Sequence, residues 1–182
     1  VDADALNLIA EDAGCRSLLL GRTASTVLTP HPLEAARLLG HAWAVEAQVE
    51  HGDARGRKMG FPTANMHLGH CLAPAFGVYA ARVAILEGDR VVARHDGVAN
   101  YGIRPMYQVQ VPLLETHLFD FDGDLYGRRI EVEFVAHLRD EEKFPDLPSL
   151  VTQLQRDDAQ ARAILVGASS GATAVSVESC RA

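Results

Sequence analysis

The sequence has few cysteines, and those present are not spaced as a metal site or a disulfide framework. Cys15, Cys71 and Cys180 are odd in number, far apart and without a CxxC pair, so we expect neither zinc binding nor a network of disulfides. Long apolar runs are also missing, since none approaches the about 20 residues that cross a bilayer. The sequence does not open with a basic segment followed by an apolar one, as secretion signals do. We therefore expect a cytoplasmic protein without a membrane partner.

Positive charge is in short supply as well. The 182 residues carry 17 Lys and Arg against 24 Asp and Glu, a formal net charge of −7. This balance disfavours general affinity for a phosphate backbone, so we expect no nucleic-acid partner. The apolar content of 48% and the charged content of 23% are typical of a folded globular protein. The length suits one domain, or one and a fraction.

Three zones of the chain differ in composition. Residues 1–40 predict a helix–strand–helix segment, because helical patterns flank a β-branched run at Ser25–Thr29. From His41 to about Leu138, short runs of β-forming residues alternate with Gly, Pro and Asp, which favours an antiparallel barrel or sandwich. The predicted strands are Trp43–Val49, Val78–Leu86, Arg90–Gly97, Leu113–Phe119 and Ile130–Phe134.

The third zone contains one helix and a polar tail. Apolar residues recur at helical spacing over Leu147–Leu165, which predicts one amphipathic helix. Gly167–Ala182 is rich in Ser, Ala and Gly, so we expect a disordered tail there. The predicted organisation is an N-terminal segment at 1–40, a β-rich unit with its helix at 41–166, and a tail at 167–182.

The stretch His51–Asn65 is the most informative for function. Its small residues let backbone N–H groups approach phosphate oxygens closely, and its basic side chains add positive charge. These residues are Gly52, Gly56 and Gly60, interleaved with Arg55, Arg57 and Lys58. The spacing is not that of a Walker A motif, because GxxxxGK[ST] is absent from the sequence. A surface hairpin loop without a ligand is the alternative interpretation.

Two oxygen-bearing side chains follow this loop. Pro62 fixes a turn, and Thr63 and Asn65 would point to the same side of an extended chain. A hydroxyl and an amide carbonyl are suitable hard-oxygen ligands for a nucleotide-bound Mg²⁺. Alternatively, both are turn residues that bond to their own backbone.

A second group of candidate residues lies within Leu114–Gly127. Glu115 is either a solvated strand residue or a general base, which would need a substrate hydroxyl within about 3 Å. His117 would share its face of an extended strand and either lines a site or packs against neighbours. The carboxylates of Asp120–Asp124 lack the spacing of a calcium loop, so we predict a turn closed by Asp side chains.

Histidines near a cysteine offer one more candidate metal site. His67 and His70 stand close to Cys71, just before Leu72-Ala73-Pro74. We expect an ordinary loop there and no bound metal.

Taken in order, these segments resemble the riboflavin kinase family, in particular the kinase module of bacterial bifunctional FAD synthetases. The segments are GFPTAN at Gly60–Asn65, GVYA at Gly77–Ala80, GVANYGIRP at Gly97–Pro105, LETHLFDFDGDLYG at Leu114–Gly127 and LRDEEKF at Leu138–Phe144. The resemblance covers about residues 41–165. It implies a six-stranded Greek-key antiparallel barrel with a C-terminal helix. It also implies conversion of riboflavin and ATP to FMN and ADP with a divalent ion, Mg²⁺ or Zn²⁺.

Individual roles follow from the same resemblance. Thr63 and Asn65 match the family residues that bind the metal and the ATP phosphates, and Glu115 matches the base that activates the ribityl 5′-hydroxyl. The flap over the nucleotide phosphates corresponds to the loop with Gly52, Arg55, Gly56, Lys58 and Gly60. The flavin side corresponds to Arg104, Lys143 and Phe144. Phosphoryl transfer needs chiefly alignment, charge neutralisation and a carboxylate that orients the hydroxyl, which this set provides.

The sequence departs from the family at a few positions. Ala54 stands where many relatives have glycine, which stiffens the loop slightly. Met106-Tyr107 replaces the Thr-Phe that usually follows the proline of GVANYGIRP, which affects fine contacts with substrate.

The first forty residues resemble a different family, the ADP/ATP-dependent NAD(P)H-hydrate dehydratases. The motifs are DADALN at Asp2–Asn7 and LTPHP at Leu28–Pro32, followed by EAARLLG at Glu34–Gly40. Leu33 replaces the usual glycine, and the GTGD segment with that family's catalytic aspartate is absent. We expect a dehydratase-like fragment fused to the kinase module, with a divergent linker as the alternative. Because the sequence begins at Val1, we expect a fragment or a processed product.

Two further functions compete with riboflavin phosphorylation. One is a flavin- or nucleotide-binding module with little or no turnover, and the other is a piece of a dehydratase fusion. Thr63, Asn65 and Glu115 favour the kinase, because a module that only binds has no need of all three. FAD formation is not expected, because no adenylyltransferase domain is recognised in the sequence, and the HxGH string at His67–His70 falls in the stretch interpreted above as an ordinary loop.

Overall fold

A computed structural model describes residues 43–52, 56, 60–71, 73–103, 111–169 and 178–181. The predicted helix–strand–helix segment at 1–40 lies outside these residues. Within them, the elements are β1 (Trp43–Gln48), β2 (Ala64–Met66), β3 (Gly77–Glu87), β4 (Arg90–Ile103), β5 (Pro112–Leu118), β6 (Arg129–Arg139), α1 (Leu147–Ser169) and β7 (Glu178–Arg181). The five predicted strands are confirmed, with β4 and β6 longer than predicted.

The described strands form one sheet in the order β2-β5-β4-β3-β6-β1-β7. The neighbours from β2 to β1 pair antiparallel, whereas β7 pairs parallel to β1. The two ends of the six-stranded part meet where Glu50, just after β1, donates its N–H to the carbonyl of Asn65 at 2.8 Å. The predicted antiparallel barrel is therefore confirmed.

Alternating side chains give the barrel its core. In β6, Ile130, Val132 and Phe134 are buried, while Glu131 and Glu133 between them are partly exposed. This is the pattern of a strand with one apolar face. The inward-facing residues of β1 to β6 form one continuous cluster that includes Tyr79.

The helix α1 packs on the outer face of the barrel. Ala161 and Leu165 contact Ala80 and Phe119 in a second apolar cluster, which explains why β3 is buried on both faces. The helix begins where the carboxylate of Asp146 accepts the N–H of Ser149 at 2.8 Å, an N-terminal cap. Hydrogen bonds from the side chain and the backbone of Ser149 lower the pKa of the Asp146 carboxyl.

A buried ion pair also holds the helix to the sheet. Asp157 is 2% exposed and accepts hydrogen bonds from the guanidinium of Arg139, at the end of β6, at 2.8 to 3.1 Å. Gln153 donates a further bond to Asp157 at 2.8 Å. A buried carboxylate needs this degree of pairing to offset the loss of hydration.

Two features differ from the sequence predictions. The helix continues through Ser169 and residues Glu178–Arg181 form a strand, where a disordered tail was expected over 167–182. Cys71 is buried and disulfide-bonded, although cysteine number and spacing gave no sign of a disulfide. In the described part of the chain, no helix has the length and apolar character needed to cross a membrane.

Candidate active site

Glu115 lies at the centre of a row of polar residues on three strands. In the sheet register it stands directly opposite Asn65 of β2 on one side and Asn100 of β4 on the other. Residues opposed in this way project from the same face of a sheet. Leu114 and Thr116 point into the barrel and are buried, so the row projects from the outer face. A carboxylate between two carboxamides is therefore built into the sheet.

The glycine-containing loop lies against this row. A side chain at Gly52 would overlap the amide of Asn65, and a side chain at Gly56 would overlap the carbonyl of Phe61. The carbonyl of Gly56 also accepts a hydrogen bond from the N–H of Phe61 at 2.9 Å. A Cβ atom added at Gly56 would lie 3.6 Å from the Thr63 hydroxyl oxygen. Gly52 and Gly56 therefore lie close to Asn65 and to the turn at Phe61–Thr63. Arg55 and Lys58 lie outside the described residues.

A cleft of about 550 Å³ opens beside Thr63. One wall is formed by Pro62, Thr63 and Ala64, and the other by Phe121–Tyr126. The ring of Tyr126 stacks on His51, with ring centroids 3.8 Å apart. Aromatic rings, a hydroxyl and backbone groups in one cleft suit a planar base attached to a polar chain.

The second wall of the cleft is the predicted aspartate turn. The carboxylate of Asp124 accepts the N–H of Tyr126 at 3.0 Å, which confirms a turn closed by an Asp side chain. Asp120 has a positive φ of 52°, a conformation that is uncommon for residues other than glycine but is adopted by Asp more often than by most. The guanidinium of Arg162 in α1 contacts its carboxylate at 2.8 and 3.3 Å and, mainly by hydrogen bonding, lowers the pKa of Asp120.

His117 contacts the turn that forms the first wall of the cleft. Its Nδ1 lies 2.8 Å from the carbonyl oxygen of Pro62, and its ring makes edge contacts with Phe61 and Phe119, at centroid distances of 5.4 and 6.0 Å. The sequence left open whether this histidine lines a site or packs. The structure shows that it contacts the turn just before Thr63.

Glu141 is a second carboxylate near Glu115 that sequence analysis did not single out. Its carboxylate lies against Gly102 of β4, two residues from Asn100. Desolvation raises the pKa of the Glu141 carboxyl, a hydrogen bond from the N–H of Ile103 opposes this, and the charge of Glu115 raises it further. The segment LRDEEKF contains three adjacent carboxylates, so only the close approach to Gly102 distinguishes this one.

The predicted flavin-side residues are only partly described. Lys143 is exposed and Phe144 is half-buried, with the guanidinium carbon of Arg139 5.6 Å from the centre of the Phe144 ring. Arg104 lies outside the described residues. Phe144 and Glu141 therefore lie on one short segment after β6. The Glu141 carboxylate on this segment is close enough to Glu115 to be influenced by its charge.

One of the two histidines considered for a metal, His67, makes other contacts. His67 places Nδ1 3.3 Å from the carbonyl of Pro112 and Nε2 3.8 Å from the carboxylate of Glu50. Over the residues that the structure describes, no three His, Cys, Asp or Glu side chains converge as metal ligands would. A divalent ion at Thr63 and Asn65 would therefore depend on further ligands from the nucleotide.

Comparison with known families gives two matches along the chain. The family model of riboflavin kinase matches residues 39–165. The family model of NAD(P)H-hydrate dehydratase matches residues 1–59. Both expected resemblances are confirmed, with the dehydratase match extending further than the forty residues predicted.

Curated relatives agree with the first match by name, and one solved structure is similar to the chain in sequence and fold. The bifunctional riboflavin kinase/FMN adenylyltransferase of Haemophilus influenzae is 42% identical over 129 residues, which are 71% of this chain and 41% of the relative. The enzyme of the same name from Escherichia coli K12 is 44% identical over 128 residues, 70% of this chain and 40% of the relative. A crystal structure described as a macrolide-efflux protein of Streptococcus pneumoniae is 34% identical, with a TM-score of 0.62 over 71% of this chain and 41% of its own. The chain thus spans about two fifths of the length of the curated relatives it matches.

Proposed function

The chain belongs to the riboflavin kinase family, and we propose that it transfers the γ-phosphoryl group of ATP to the ribityl 5′-hydroxyl of riboflavin. The products are FMN and ADP. The observation that carries this proposal is the position of Glu115, held in register between Asn65 and Asn100 beside the loop that closes on Thr63. Since ATP is the donor, we propose that the protein acts in the cytoplasm.

Glu115 is the group proposed to act on the acceptor. The Glu115 carboxylate can accept the proton of the 5′-hydroxyl while the hydroxyl oxygen attacks the γ-phosphorus of ATP. The bond between this phosphorus and the leaving ADP oxygen breaks in the same transfer. The flanking amides of Asn65 and Asn100 restrict where this carboxylate and the hydroxyl can lie. Phosphoryl transfer gains most from such alignment.

The nucleotide is proposed to occupy the cleft between Pro62–Ala64 and Phe121–Tyr126. Its phosphates would lie toward Thr63 and under the loop, where backbone N–H groups at Gly52, Gly56 and Gly60 and the charges of Arg55 and Lys58 can neutralise them. Substitution at Gly52 or Gly56 would push a side chain into Asn65 or the turn. Small residues at these positions support a flap that closes tightly.

Thr63 and Asn65 are proposed to hold the divalent ion together with the phosphates. Their hydroxyl and carbonyl oxygens suit Mg²⁺, which prefers oxygen ligands and is commonly shared with a nucleotide. Zn²⁺ favours Cys and His and fits this pair less well. The ion would supply charge neutralisation on the transferred phosphoryl group.

The flavin is proposed to lie on the other side of Glu115. Phe144 offers a half-buried ring on the segment that carries Glu141, and an aromatic face suits the flat isoalloxazine. We propose Arg104 and Lys143 as polar contacts at its edge. This arrangement puts the ribityl chain over the row that contains Glu115.

Incubation of the full chain with riboflavin, ATP and Mg²⁺, followed by chromatography of the flavins, tests the proposal. We expect an FMN peak that grows with time and requires both ATP and the metal. An absence of FMN, together with tight binding of riboflavin measured by fluorescence quenching, would instead identify a flavin-binding module without turnover. An FAD peak would require an adenylyl transfer that the proposal does not include.

A further inference from the structure

His117 lies on β5 near Glu115 and contacts the turn before Thr63. It lies on the same face of β5 as Glu115, two residues away, and is half-buried. Its Nδ1 faces the Pro62 carbonyl at 2.8 Å. The carbonyl oxygen can only accept a hydrogen bond, so Nδ1 must carry the proton and donate it.

The ring of His117 packs against two aromatic rings. Phe61 contacts it from the turn, and Phe119 contacts it from the end of β5. Phe119 is itself covered by Arg162 of α1, whose guanidinium carbon lies 4.1 Å from the ring centre. These contacts favour the ring orientation in which Nδ1 faces the Pro62 carbonyl.

Pro62 is the residue immediately before Thr63, so a bond to its carbonyl fixes the peptide plane that leads into Thr63. The same turn forms one wall of the cleft proposed for the nucleotide. A small rotation of this peptide would move the Thr63 hydroxyl and the path of the chain toward Asn65. A second hydrogen bond, from the N–H of Phe61 to the carbonyl of Gly56, also stabilises this turn.

We propose that His117 is a positioning residue for nucleotide binding, which donates from Nδ1 to the Pro62 carbonyl and so fixes Thr63 relative to the cleft. This inference rests on the function proposed above, because it assigns Thr63 to the nucleotide. His117 does not itself take part in proton transfer. Its contribution is to the affinity for ATP with its metal, and not to that for riboflavin.

Two variants separate the hydrogen bond from the packing of the ring. His117→Phe keeps an aromatic ring between Phe61 and Phe119 but loses the donor. His117→Asn loses the ring but keeps an N–H donor close to the position of Nδ1. We expect His117→Phe to raise the KM for ATP by about 5- to 10-fold, the scale of one hydrogen bond. His117→Asn should have a KM for ATP close to that of the unmodified protein.

The affinity for riboflavin, titrated without nucleotide, should stay the same in both variants. His70→Phe is the control, because His70 is an exposed histidine that does not line the cleft, and it should leave the KM for ATP unchanged. An equal loss of affinity for both substrates in His117→Phe, or no recovery in a folded His117→Asn, would show a packing role and overturn the proposal.

A measurement on the unmodified protein covers the case in which a variant does not fold. The ¹⁵N chemical shifts of the His117 ring distinguish a protonated from an unprotonated Nδ1. A protonated Nδ1 is expected, and an unprotonated one would overturn the proposal. If the unmodified protein makes no FMN, the proposed function fails, while titration of the variants with Mg²⁺ and ADP still decides the role of His117.

Discussion

The carboxylate of Glu141 occupies the space beside Gly102 that any larger residue there would need for its side chain. Gly102 lies in β4, two residues from Asn100, which is directly opposite Glu115. The absence of a side chain at 102 thus lets the segment after β6 bring a second carboxylate close to Glu115. The raised pKa of Glu141 reflects this placement in part.

Gly102→Ala tests whether this approach matters for the proposed reaction. The added methyl group must displace Glu141, because its nearest neighbours are the carboxylate atoms. We expect kcat/KM for riboflavin to fall by about 10- to 100-fold, since misplacement by about 1 Å can cost about 100-fold. Steady-state kinetics would measure this. Gly167→Ala, where a new side chain meets nothing within 4 Å, is the control and should keep full activity.

Glu115→Gln tests the proposed base directly. The amide keeps the shape of the side chain but cannot accept the proton, so turnover should fall by about 100- to 10,000-fold. Riboflavin should still bind, as fluorescence quenching would show. A rate close to that of the unmodified protein would remove Glu115 from the proposed mechanism.

Gly52→Ala tests the fit between the loop and Asn65. The new methyl group would overlap the Asn65 amide and force either the loop or the amide to move. We expect weaker binding of ATP with Mg²⁺, by about tenfold or more, and unchanged binding of riboflavin alone. Calorimetric titration with each ligand would measure both. If riboflavin affinity falls as much as nucleotide affinity, Asn65 has a structural role.

Glu141 should also make folding stability depend on pH. Its pKa is raised above the ordinary 4.5, so the folded state holds the proton more tightly than the unfolded state does. The resulting stabilisation is present below about pH 4.5 and is lost as the pH rises through the raised value. Glu141→Gln should therefore raise the thermal midpoint more at pH 7 than at pH 4, relative to the unmodified protein. Equal shifts at both pH values would contradict this assignment.

Asp157→Ala tests the attachment of the helix to the barrel. Removal of one partner leaves the Arg139 guanidinium, which is 20% exposed, without its carboxylate, and such a loss costs about 3–5 kcal/mol. Urea unfolding would measure the change in the free energy of unfolding. Glu87→Ala breaks the exposed pair of Glu87 with Arg90 at 3.5 Å and should cost less than about 1 kcal/mol. A similar small cost for both variants would mean that the buried pair contributes little.

Much of the architecture could be read from local patterns. Alternation in Ile130–Phe134 showed which residues face the core, and helical spacing over Leu147–Leu165 showed the helix. The short strand β2 could not be recognised in the same way, because Ala64–Met66 is only three residues long. It exists because Thr116 and Leu114 of β5 offer it an edge, and that partner lies far along the chain.

The candidate site divides in a similar way. The types of groups could be recognised from local sequence, because side-chain chemistry and spacing along the chain are sequence properties. They are a glycine-containing basic loop, the pair Thr63 and Asn65, and a carboxylate at Glu115. The fold was needed to show that Asn65 and Asn100 flank Glu115, that His117 contacts Pro62, and that Glu141 is the acidic residue that approaches Gly102. These relationships depend on strand register and on close backbone contacts between distant segments, which no local pattern encodes.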